Sequence, residues 1–317
     1  MDNFILNNSN SEIDLGILRF LENIESRNPI IFTTSGTTGE PKTVVHSYDS
    51  IVKNIKISND LKNSIWGLTY DYTKIAASQV ILQSYLNGGK IVNLFGKNYQ
   101  ELIDLIERYK ITHISATPTF YRMLTGLVFN NMRQVTLGGE SVDSLIISQI
   151  KKTFPNCRVT NIYALTEFGT LFASDDEYFC LSESKSKIIK IEGDHILVKT
   201  ENGWIDTGDL VEWKDREKFK IVGRESNIIN VGGYKINPIK VESVINNLEY
   251  VKNSKVYGLE NSVIGKIVAA DVVTNKEVGK GKIVEDLKKS LNKYEMPLKI
   301  NIVDEIQIGS TGKIIRN

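Results

Sequence analysis

The chain has 317 residues, 41% of them hydrophobic, and its 39 basic and 38 acidic residues leave a net charge of +1. This length and apolar content predict a sizeable core in two domains. The balanced charge argues against nucleic acid or a membrane surface as a partner. The apolar stretches have the length of strands, which argues against a transmembrane span. Because the amino terminus lacks a secretion signal and Cys157 and Cys180 lack disulfide or metal-ligand spacing, we expect a cytoplasmic protein.

The first predicted elements are a helix over residues 15–26 and a short buried strand over residues 29–32. A loop rich in glycine and hydroxyl side chains follows, here called the phosphate loop: Thr33-Thr34-Ser35-Gly36-Thr37-Thr38-Gly39-Glu40-Pro41-Lys42. Glycine lets backbone N–H groups approach an anion, hydroxyls donate hydrogen bonds and lysine adds positive charge. The spacing differs from the nucleotide loop of kinases and GTPases, which ends in Gly-Lys-Ser/Thr. A polar linker is the alternative, and the abrupt strand before the loop favours phosphate binding.

Beyond the phosphate loop, apolar strands alternate with amphipathic helices. The predicted strands are residues 64–68, 90–94, 112–116, 134–137 and 158–163, and the predicted helices are residues 75–86, 99–109, 119–127 and 142–153. This alternation predicts an α/β fold whose large N-terminal domain has a mainly parallel sheet. Short strand-like runs between turn signals over residues 171–222 predict a small antiparallel layer or barrel in the same domain.

A domain boundary is predicted at residue 224, which divides the chain into a large domain over residues 1–223 and a small α+β domain over residues 224–317. The elements predicted for the small domain are strands 228–231, 251–259 and 266–273 and helices 238–248 and 282–291. About ninety residues lie within the usual size range of a domain.

Four further motifs follow the phosphate loop in a fixed order. They are Asn161-Ile162-Tyr163-Ala164-Leu165-Thr166-Glu167, Thr207-Gly208-Asp209, Gly223-Arg224 with Gly232-Gly233, and Gly312-Lys313. Together with the loop, this series resembles the acyl- and aminoacyl-adenylate-forming enzymes: acyl-CoA synthetases, peptide-synthetase adenylation domains and luciferases. The resemblance implies ATP-dependent activation of a carboxylic or amino acid to an acyl-adenylate, with release of pyrophosphate. It further implies Mg²⁺ as a cofactor, transfer to a thiol of coenzyme A or of a carrier protein's phosphopantetheine arm, and a mobile small domain that hinges at Ser226.

The resemblance assigns phosphate chemistry to three parts of the chain. Glu167 would help bind Mg²⁺, Thr166 would contact the α-phosphate, and Lys313 would bridge the carboxylate and the α-phosphate during adenylation. The plain alternatives are a solvated strand-end charge for Glu167 and a solvated tail residue for Lys313. The residues that would hold the β- and γ-phosphates are Thr34, Ser35, Gly36, Thr37, Thr38, Gly39 and Lys42.

The resemblance also implies a nucleoside site. Tyr163 would stack on adenine and Asn161 would read its edge, although Tyr163 could instead be a core tyrosine. Asp209 would accept hydrogen bonds from both ribose hydroxyls, and Arg224 would reach the ribose, whereas Thr-Gly-Asp alone is more often an ordinary turn. The remaining candidates line the adenine side or the acid pocket: Gly138, Gly139, Glu140 and Ala164, which stands where the family commonly has glycine.

Several alternatives stay open from the sequence. Asp71 is a candidate substrate contact that could pair with an ammonium group, or it could cap a helix. His46, His113 and His195 lie far apart, and we expect structural roles for them. Only about thirty residues precede the loop, where the resemblance implies a whole subdomain, so a homodimer is predicted to cover the uncovered surface. A nucleotide-binding, catalytically silent subunit is the alternative function.

Overall fold

The computed structural model describes residues 4–35, 41–262 and 265–316, and for residues 34, 35, 41 and 42 it describes the backbone. The helices are α1 (Glu12–Glu25), α2 (Tyr48–Val52), α3 (Ile75–Tyr85), α4 (Tyr99–Arg108), α5 (Pro118–Met123), α6 (Ser144–Thr153), α7 (Glu183–Ser186), α8 (Pro238–Asn246) and α9 (Lys280–Leu287). Short 3₁₀ turns cover Asn59–Leu61 and Glu225–Asn227.

The strands of the first half of the chain are β1 (Ile30–Ser35), β2 (Pro41–His46), β3 (Ile65–Leu68), β4 (Lys90–Asn93), β5 (His113–Ala116), β6 (Gln134–Leu137), β7 (Arg158–Leu165) and β8 (Gly169–Ser174). The others are β9 (Phe179–Cys180), β10 (Ile189–Glu192), β11 (His195–Thr200), β12 (Gly203–Trp213), β13 (Lys218–Arg224), β14 (Ile229–Val231), β15 (Tyr234–Ile236), β16 (Val251–Asn261), β17 (Gly265–Thr274) and β18 (Lys299–Ile302).

The chain forms two compact units, each built from several segments. The first unit comprises the described residues of Met1–Gly139, Ser148–Asp175 and Ser310–Lys313, and the second comprises those of Glu140–Ile147, Asp176–Gly309 and Ile314–Asn317. This division differs from the predicted boundary at residue 224, since β9 to β13 group with the strands that follow them. As a domain boundary, residue 224 stays a prediction.

A six-stranded sheet in the order β4-β3-β5-β6-β7-β8 forms the centre of the first unit. All neighbouring strands in it are parallel except β7 and β8, which are antiparallel. Leu68, Ile114, Val135 and Leu137 are fully buried in this sheet. The predicted α/β class with a mainly parallel sheet is confirmed. Parallel pairing brings the carboxyl ends of β3, β5, β6 and β7 to one edge, the place where open α/β sheets bind ligands.

Local sequence signals explain where the helices of this unit begin. Asn98 and Glu101 form a reciprocal capping box at the start of α4, which satisfies two backbone N–H groups that would otherwise lack partners. Thr117 caps α5, and Pro118 occupies its first turn, where a missing N–H costs nothing. Helix α1 begins at Glu12, three residues before the predicted start, because Ser11 caps it.

Strands β1 and β2 form a separate antiparallel pair, in which Thr34 lies opposite Lys42 and Ser35 opposite Pro41. The predicted strand therefore extends to Ser35, and the sequence interpretation of residues 33–35 as loop is wrong. Strand β2 was not predicted, although the run Thr43-Val44-Val45 has the β-branched side chains that favour strands. The phosphate loop thus begins and ends on the two strands of a hairpin.

The second unit contains two further sheets. An antiparallel sheet in the order β10-β11-β12-β13-β9 confirms the predicted antiparallel layer. Antiparallel strands β15-β14-β17-β16, with β18 parallel to β17, form the other sheet, and β15 and β18 were not predicted. Helices α8 and α9 contribute Val241, Ile245, Ile283 and Leu287 to its buried core. Among the described residues, no helix is both long and apolar enough to cross a membrane.

The central strands contain one buried histidine. The imidazole of His113 stacks on Trp66 with ring centroids 4.6 Å apart, and its Nδ1 lies 2.8 Å from Thr112 Oγ1. Burial, aided by the charge of Arg133, lowers the pKa of His113 to about 4. The predicted structural role therefore agrees with its surroundings.

This depressed pKa makes stability depend on pH. Between the unfolded value of about 6.5 and about 4, the unfolded chain binds a proton that folded His113 does not, so stability falls as the pH falls through this range. We expect the titration of His113 to make the free energy of unfolding roughly 3 kcal/mol lower at about pH 4 than at neutral pH. Urea unfolding of wild type and His113→Phe at about pH 7 and about pH 4.5 measures the free energy of unfolding, which should fall less in the variant. An equal fall in the two proteins would contradict this role of His113.

Candidate functional site

Loops from four neighbouring strands meet at the carboxyl edge of the six-stranded sheet. Tyr70 follows β3, Thr117 follows β5, Gly139 follows β6 and Thr166 follows β7. The segment Ser310–Lys313, here called the lysine segment, belongs to the same unit. The edge therefore combines residues that lie far apart in sequence.

Two hydrogen bonds hold the lysine segment on this edge. The Thr117 hydroxyl donates to the carbonyl of Gly312 at 2.5 Å, and the backbone N–H of Asp71 donates to the carbonyl of Ser310 at 3.3 Å. Gly312 has a φ of +70°, which only glycine adopts without strain. Lys313 is thereby brought to the ends of β3 and β5.

The Lys313 side chain lies against the backbone of Gly139. A Cβ atom on Gly139 would be 2.9 Å from Cε and 3.7 Å from Nζ of Lys313, and Gly139 has a φ of +81°. The backbone conformation therefore favours glycine, and a side chain at this position would displace the end of the Lys313 side chain. Gly138 is also closely packed, since a Cβ there would be 2.9 Å from Cγ1 of Ile162. Gly139, which the resemblance assigned to the adenine side, and Lys313, which it assigned to phosphate chemistry, are thus in contact.

Strand β7 carries the residues predicted to bind adenine. Asn161 and Tyr163 are buried and share one face of the strand, because strand side chains alternate. The Tyr163 ring lies 6.4 Å from that of Phe172 on β8. The register of β7 and β8 shifts between Tyr163 and Ala164, and Ala164 is exposed. Stacking on adenine and contact of Ala164 with the acid stay predictions.

Thr166 and Glu167 follow directly after β7. The ring Nε2 of His46 lies 2.8 Å from the carbonyl of Thr166, and its Nδ1 lies 3.0 Å from Ser50 Oγ. His46 is buried and ends β2, so it ties the hairpin of the phosphate loop to the backbone beside Glu167. This agrees with the structural role predicted for His46. The Glu167 side chain is exposed.

Both ends of the phosphate loop lie on strands. Thr34 and Ser35 lie on β1, and Lys42 lies on β2. Their proposed phosphate contacts stay predictions, and the pairing of β1 with β2 gives them a common support. The other residues predicted to bind phosphate lie outside the described residues: Gly36, Thr37, Thr38 and Gly39.

Asp71 is engaged in a turn. Its Oδ1 accepts hydrogen bonds from the backbone N–H of Thr73 at 2.9 Å and from the Thr73 hydroxyl at 2.7 Å. The N-cap position of α3 is Lys74, so Asp71 does not cap the helix itself. Its carboxylate organises the turn before the helix, which favours a structural role over an ammonium contact.

The residues predicted to bind ribose form an ion pair within the second unit. Asp209 on β12 lies opposite Arg224 on β13, and its Oδ1 accepts a 2.7 Å hydrogen bond from Arg224 Nε. The Asp209 side chain is 9% exposed and that of Arg224 is 42% exposed. Gly208, with a φ of +71°, lies within β12 directly before Asp209. The pairing holds both side chains in a fixed relation, and their ribose contacts stay predictions.

Two further candidates lie in the second unit. Glu140 accepts a 3.1 Å hydrogen bond at Oε1 from the backbone N–H of Ile314, so its carboxylate holds the chain directly after Lys313. Ser226 is exposed in the 3₁₀ turn that follows β13. Its hinge role stays a prediction, as does the nucleotide contact of Glu140.

Glu167 is the residue predicted to bind magnesium. Among residues 4–35, 41–262 and 265–316, no group of three or more His, Cys, Asp or Glu side chains could hold a metal ion. Mg²⁺ is commonly held by one or two carboxylates together with substrate phosphates and waters. A single exposed carboxylate at the sheet edge fits a magnesium ion that arrives with ATP.

Sequence reasoning missed Thr117 and the link from His46 to Thr166. Thr117 precedes Pro118 directly after a strand, a pattern that identifies a helix cap but not its bond to Gly312. The two partners are 195 residues apart. Contacts over such distances leave no local pattern in a single sequence.

We expect Thr117→Val to loosen the lysine segment, because valine keeps the shape but cannot donate to Gly312. Hydrogen exchange of the Asp71 amide, which is bound to the Ser310 carbonyl, should become faster by about tenfold, the equivalent of 1.4 kcal/mol, which is typical of a lost hydrogen bond. Thr117→Ser keeps the hydroxyl and is the matched control. Exchange at Asp71 that is equal in both variants would contradict this contact.

The family model described as AMP-binding enzyme matches residues 23–189, and the model described as AMP-binding enzyme C-terminal domain matches residues 240–313. A 2-succinylbenzoate–CoA ligase from Bacillus subtilis (strain 168) is 27% identical over 328 residues, which cover 90% of this chain and 67% of that protein.

Two solved structures share the fold. The anthranilate CoA ligase AuaEII in complex with anthranoyl-AMP has a TM-score of 0.72 at 17% identity, covering 90% of this chain and 65% of that one. The o-succinylbenzoate coenzyme A synthetase MenE from Bacillus subtilis, in complex with ATP and magnesium ion, has a TM-score of 0.65 at 24% identity, covering 90% and 68%. The chain thus spans about two thirds of the length of the proteins that it matches. It belongs to the family of AMP-binding enzymes, and the predicted enzyme class, AMP-forming acid–thiol ligase, is confirmed.

Proposed function

We propose that this chain activates a carboxylic acid with ATP to an acyl-adenylate and transfers the acyl group to coenzyme A. The observation that carries the proposal is the position of Lys313 against Gly139 at the carboxyl edge of the sheet. Although Lys313 is exposed, the backbone before it is held at this edge, since the carbonyls of Gly312 and Ser310 accept hydrogen bonds from Thr117 and Asp71. That arrangement supports a role in chemistry at this edge.

In the first step a carboxylate oxygen attacks the α-phosphorus of ATP. A new O–P bond forms, the bond to the β-phosphate oxygen breaks, and pyrophosphate leaves with the electron pair. Since two anions must approach each other, positioned positive charge and hydrogen-bond donors lower the barrier more than an acid–base pair would. Lys313 would supply this charge at the α-phosphate, and Mg²⁺ held by Glu167 would neutralise phosphate charge when bound.

In the second step a thiolate attacks the acyl carbon, the acyl–O bond breaks and AMP leaves. We propose coenzyme A as the thiol because the similar protein from Bacillus subtilis is a 2-succinylbenzoate–CoA ligase. An acyl carrier protein remains the alternative acceptor. Because the Asp71 carboxylate is bound to Thr73, we propose a carboxylic acid without a requirement for an ammonium group. Pyrophosphate exchange with 2-succinylbenzoate, anthranilate, fatty acids and amino acids tests this choice.

A catalytically silent nucleotide-binding subunit would need neither the lysine segment nor its hydrogen bonds. The hydrogen bonds of Thr117 and Asp71 to the lysine segment therefore favour the ligase. A cytoplasmic location and a homodimer stay predictions, and the exposed cross-strand pair Ile31 and Val45 offers a dimer an apolar contact.

We expect Lys313→Ala to lower the rate of pyrophosphate exchange by about 10²-fold or more, the scale for loss of one charge contact to a transition state. Folding should be unaffected, because Lys313 is exposed. The matched control is Lys282→Ala, which removes another exposed lysine, one that pairs with Asp286 one turn along α9. An unchanged exchange rate in Lys313→Ala would exclude the catalytic role.

We expect Asp209→Ala to raise the KM for ATP about tenfold or more with little effect on the KM for the acid, since one hydrogen bond to a charged group contributes about 1.5–3 kcal/mol. Asp206→Ala is the control, because Asp206 Oδ1 accepts a hydrogen bond from the Gly208 N–H on the same strand. If both variants change both Michaelis constants equally, Asp209 maintains the local structure of β12 and does not contact ribose.

A further inference from the structure

The chain directly after Lys313 is held by backbone hydrogen bonds. Ile314 forms an antiparallel bridge with Ile308, and its N–H donates to Glu140 Oε1 at 3.1 Å. The N–H of Ile315 donates to the carbonyl of Gln307 at 3.2 Å. These contacts lie within the second unit and close the loop that presents Lys313.

An ion pair ends this segment. Both terminal nitrogens of Arg316 donate to Glu242 on α8, at 2.6 and 2.8 Å, and Arg316 also donates to the carbonyl of Val256 on β16 at 3.3 Å. Glu242 Oε1 accepts a further 2.7 Å bond from the Val256 N–H. The planar guanidinium fork matches a carboxylate in two parallel bonds, so the pair fixes orientation as well as distance.

The ion pair is largely removed from water. The Glu242 side chain is 7% exposed and that of Arg316 is 18% exposed. Burial raises the pKa of Glu242, and Arg316 opposes this rise. A buried pair contributes little net stability relative to apolar side chains of similar volume. Its directional bonds are therefore better explained by a need for fixed geometry.

We propose that Arg316 is a positioning residue for Lys313: its two-pronged bond to Glu242 fixes the residues that directly follow Lys313 in the chain. This inference rests on the function proposed above. Three residues span at most about 10 Å even when extended. An anchored Arg316 therefore restricts where Lys313 can lie, and the bonds of Ile314 and Ile315 restrict it further.

Small displacements of this kind matter for catalysis. A misplacement of about 1 Å by a change far from the reacting atoms can cost about 10²-fold in rate. Arg316 should therefore affect kcat for adenylation without contacting substrate. Its loss should leave the KM for ATP nearly unchanged, which separates it from residues that bind the nucleotide.

The test compares four variants of the full chain by pyrophosphate exchange: Arg316→Met, Arg316→Lys, Lys313→Ala and the double variant Lys313→Ala with Arg316→Met. We expect Arg316→Met to lower kcat about tenfold or more, and Arg316→Lys to recover part of it, because lysine keeps the charge but lacks the fork. The double variant should be no slower than Lys313→Ala, since residues that act as one unit are not additive.

Two further variants separate positioning from folding. In Glu242→Gln with Arg316→Met, the amide can still accept from Val256 and no charge stays buried, so the melting temperature should lie within a few degrees of wild type while kcat stays low. Lys240→Met is the matched control: it breaks an α8 ion pair, Lys240 to Glu295 at 2.7 Å, away from the chain end. Its kcat should equal that of wild type.

The outcomes distinguish the two proposals. An active Lys313→Ala overturns the proposed function and the positioning role together. Loss of activity in Lys313→Ala with wild-type kcat in Arg316→Met overturns only the positioning role. Multiplicative losses in the double variant would show that Arg316 acts independently of Lys313. Recovery of kcat in Glu242→Gln with Arg316→Met would show that Arg316→Met acts through the charge that it leaves buried. Either result overturns the positioning role.

Discussion

The parallel pairing of β3, β5, β6 and β7 is the constraint on which the candidate site depends. Parallel strands end side by side, so the residues that follow them converge without being neighbours in sequence. Tyr70, Thr117, Gly139 and Thr166 all reach the edge in this way. Antiparallel pairing would send alternate loops to opposite edges. The predicted catalytic chemistry therefore depends on this parallel topology, which brings the four loops to one edge.

Thr117 shows how one hydroxyl links the local and the distant parts of this arrangement. It accepts from the Phe120 N–H as the cap of α5 and donates to the carbonyl of Gly312. A hydroxyl can do both at once, because it has one donor and two lone pairs. The same edge needs glycine at residue 139, where a side chain would meet Lys313. At this edge, a small residue (Gly139) and a polar residue (Thr117) let the lysine segment come close to the backbone of the sheet edge.

The sequence predicted most of the sheet, because its strands are apolar runs between helices with an amphipathic pattern, as in residues 90–94 and 99–109. The family resemblance assigned both Lys313 and Gly139 to the candidate site. It did not predict β2, whose strand pattern was hidden by the polar run before it, nor the pair Glu242 and Arg316, whose partners are 74 residues apart. Asp209 and Arg224 were assigned to the same ligand, but their mutual hydrogen bond follows only from strand register.

The ion pair of Glu242 and Arg316 within the second unit has an apolar alternative. An apolar residue at position 316 could bury a similar area, and it would avoid the desolvation of two charges. It would also leave the backbone of residues 314–316 free to slide and rotate on the second unit, since apolar contacts have no preferred direction. The bidentate bonds to Glu242 remove that freedom. This directionality agrees with the positioning role that we propose for Arg316.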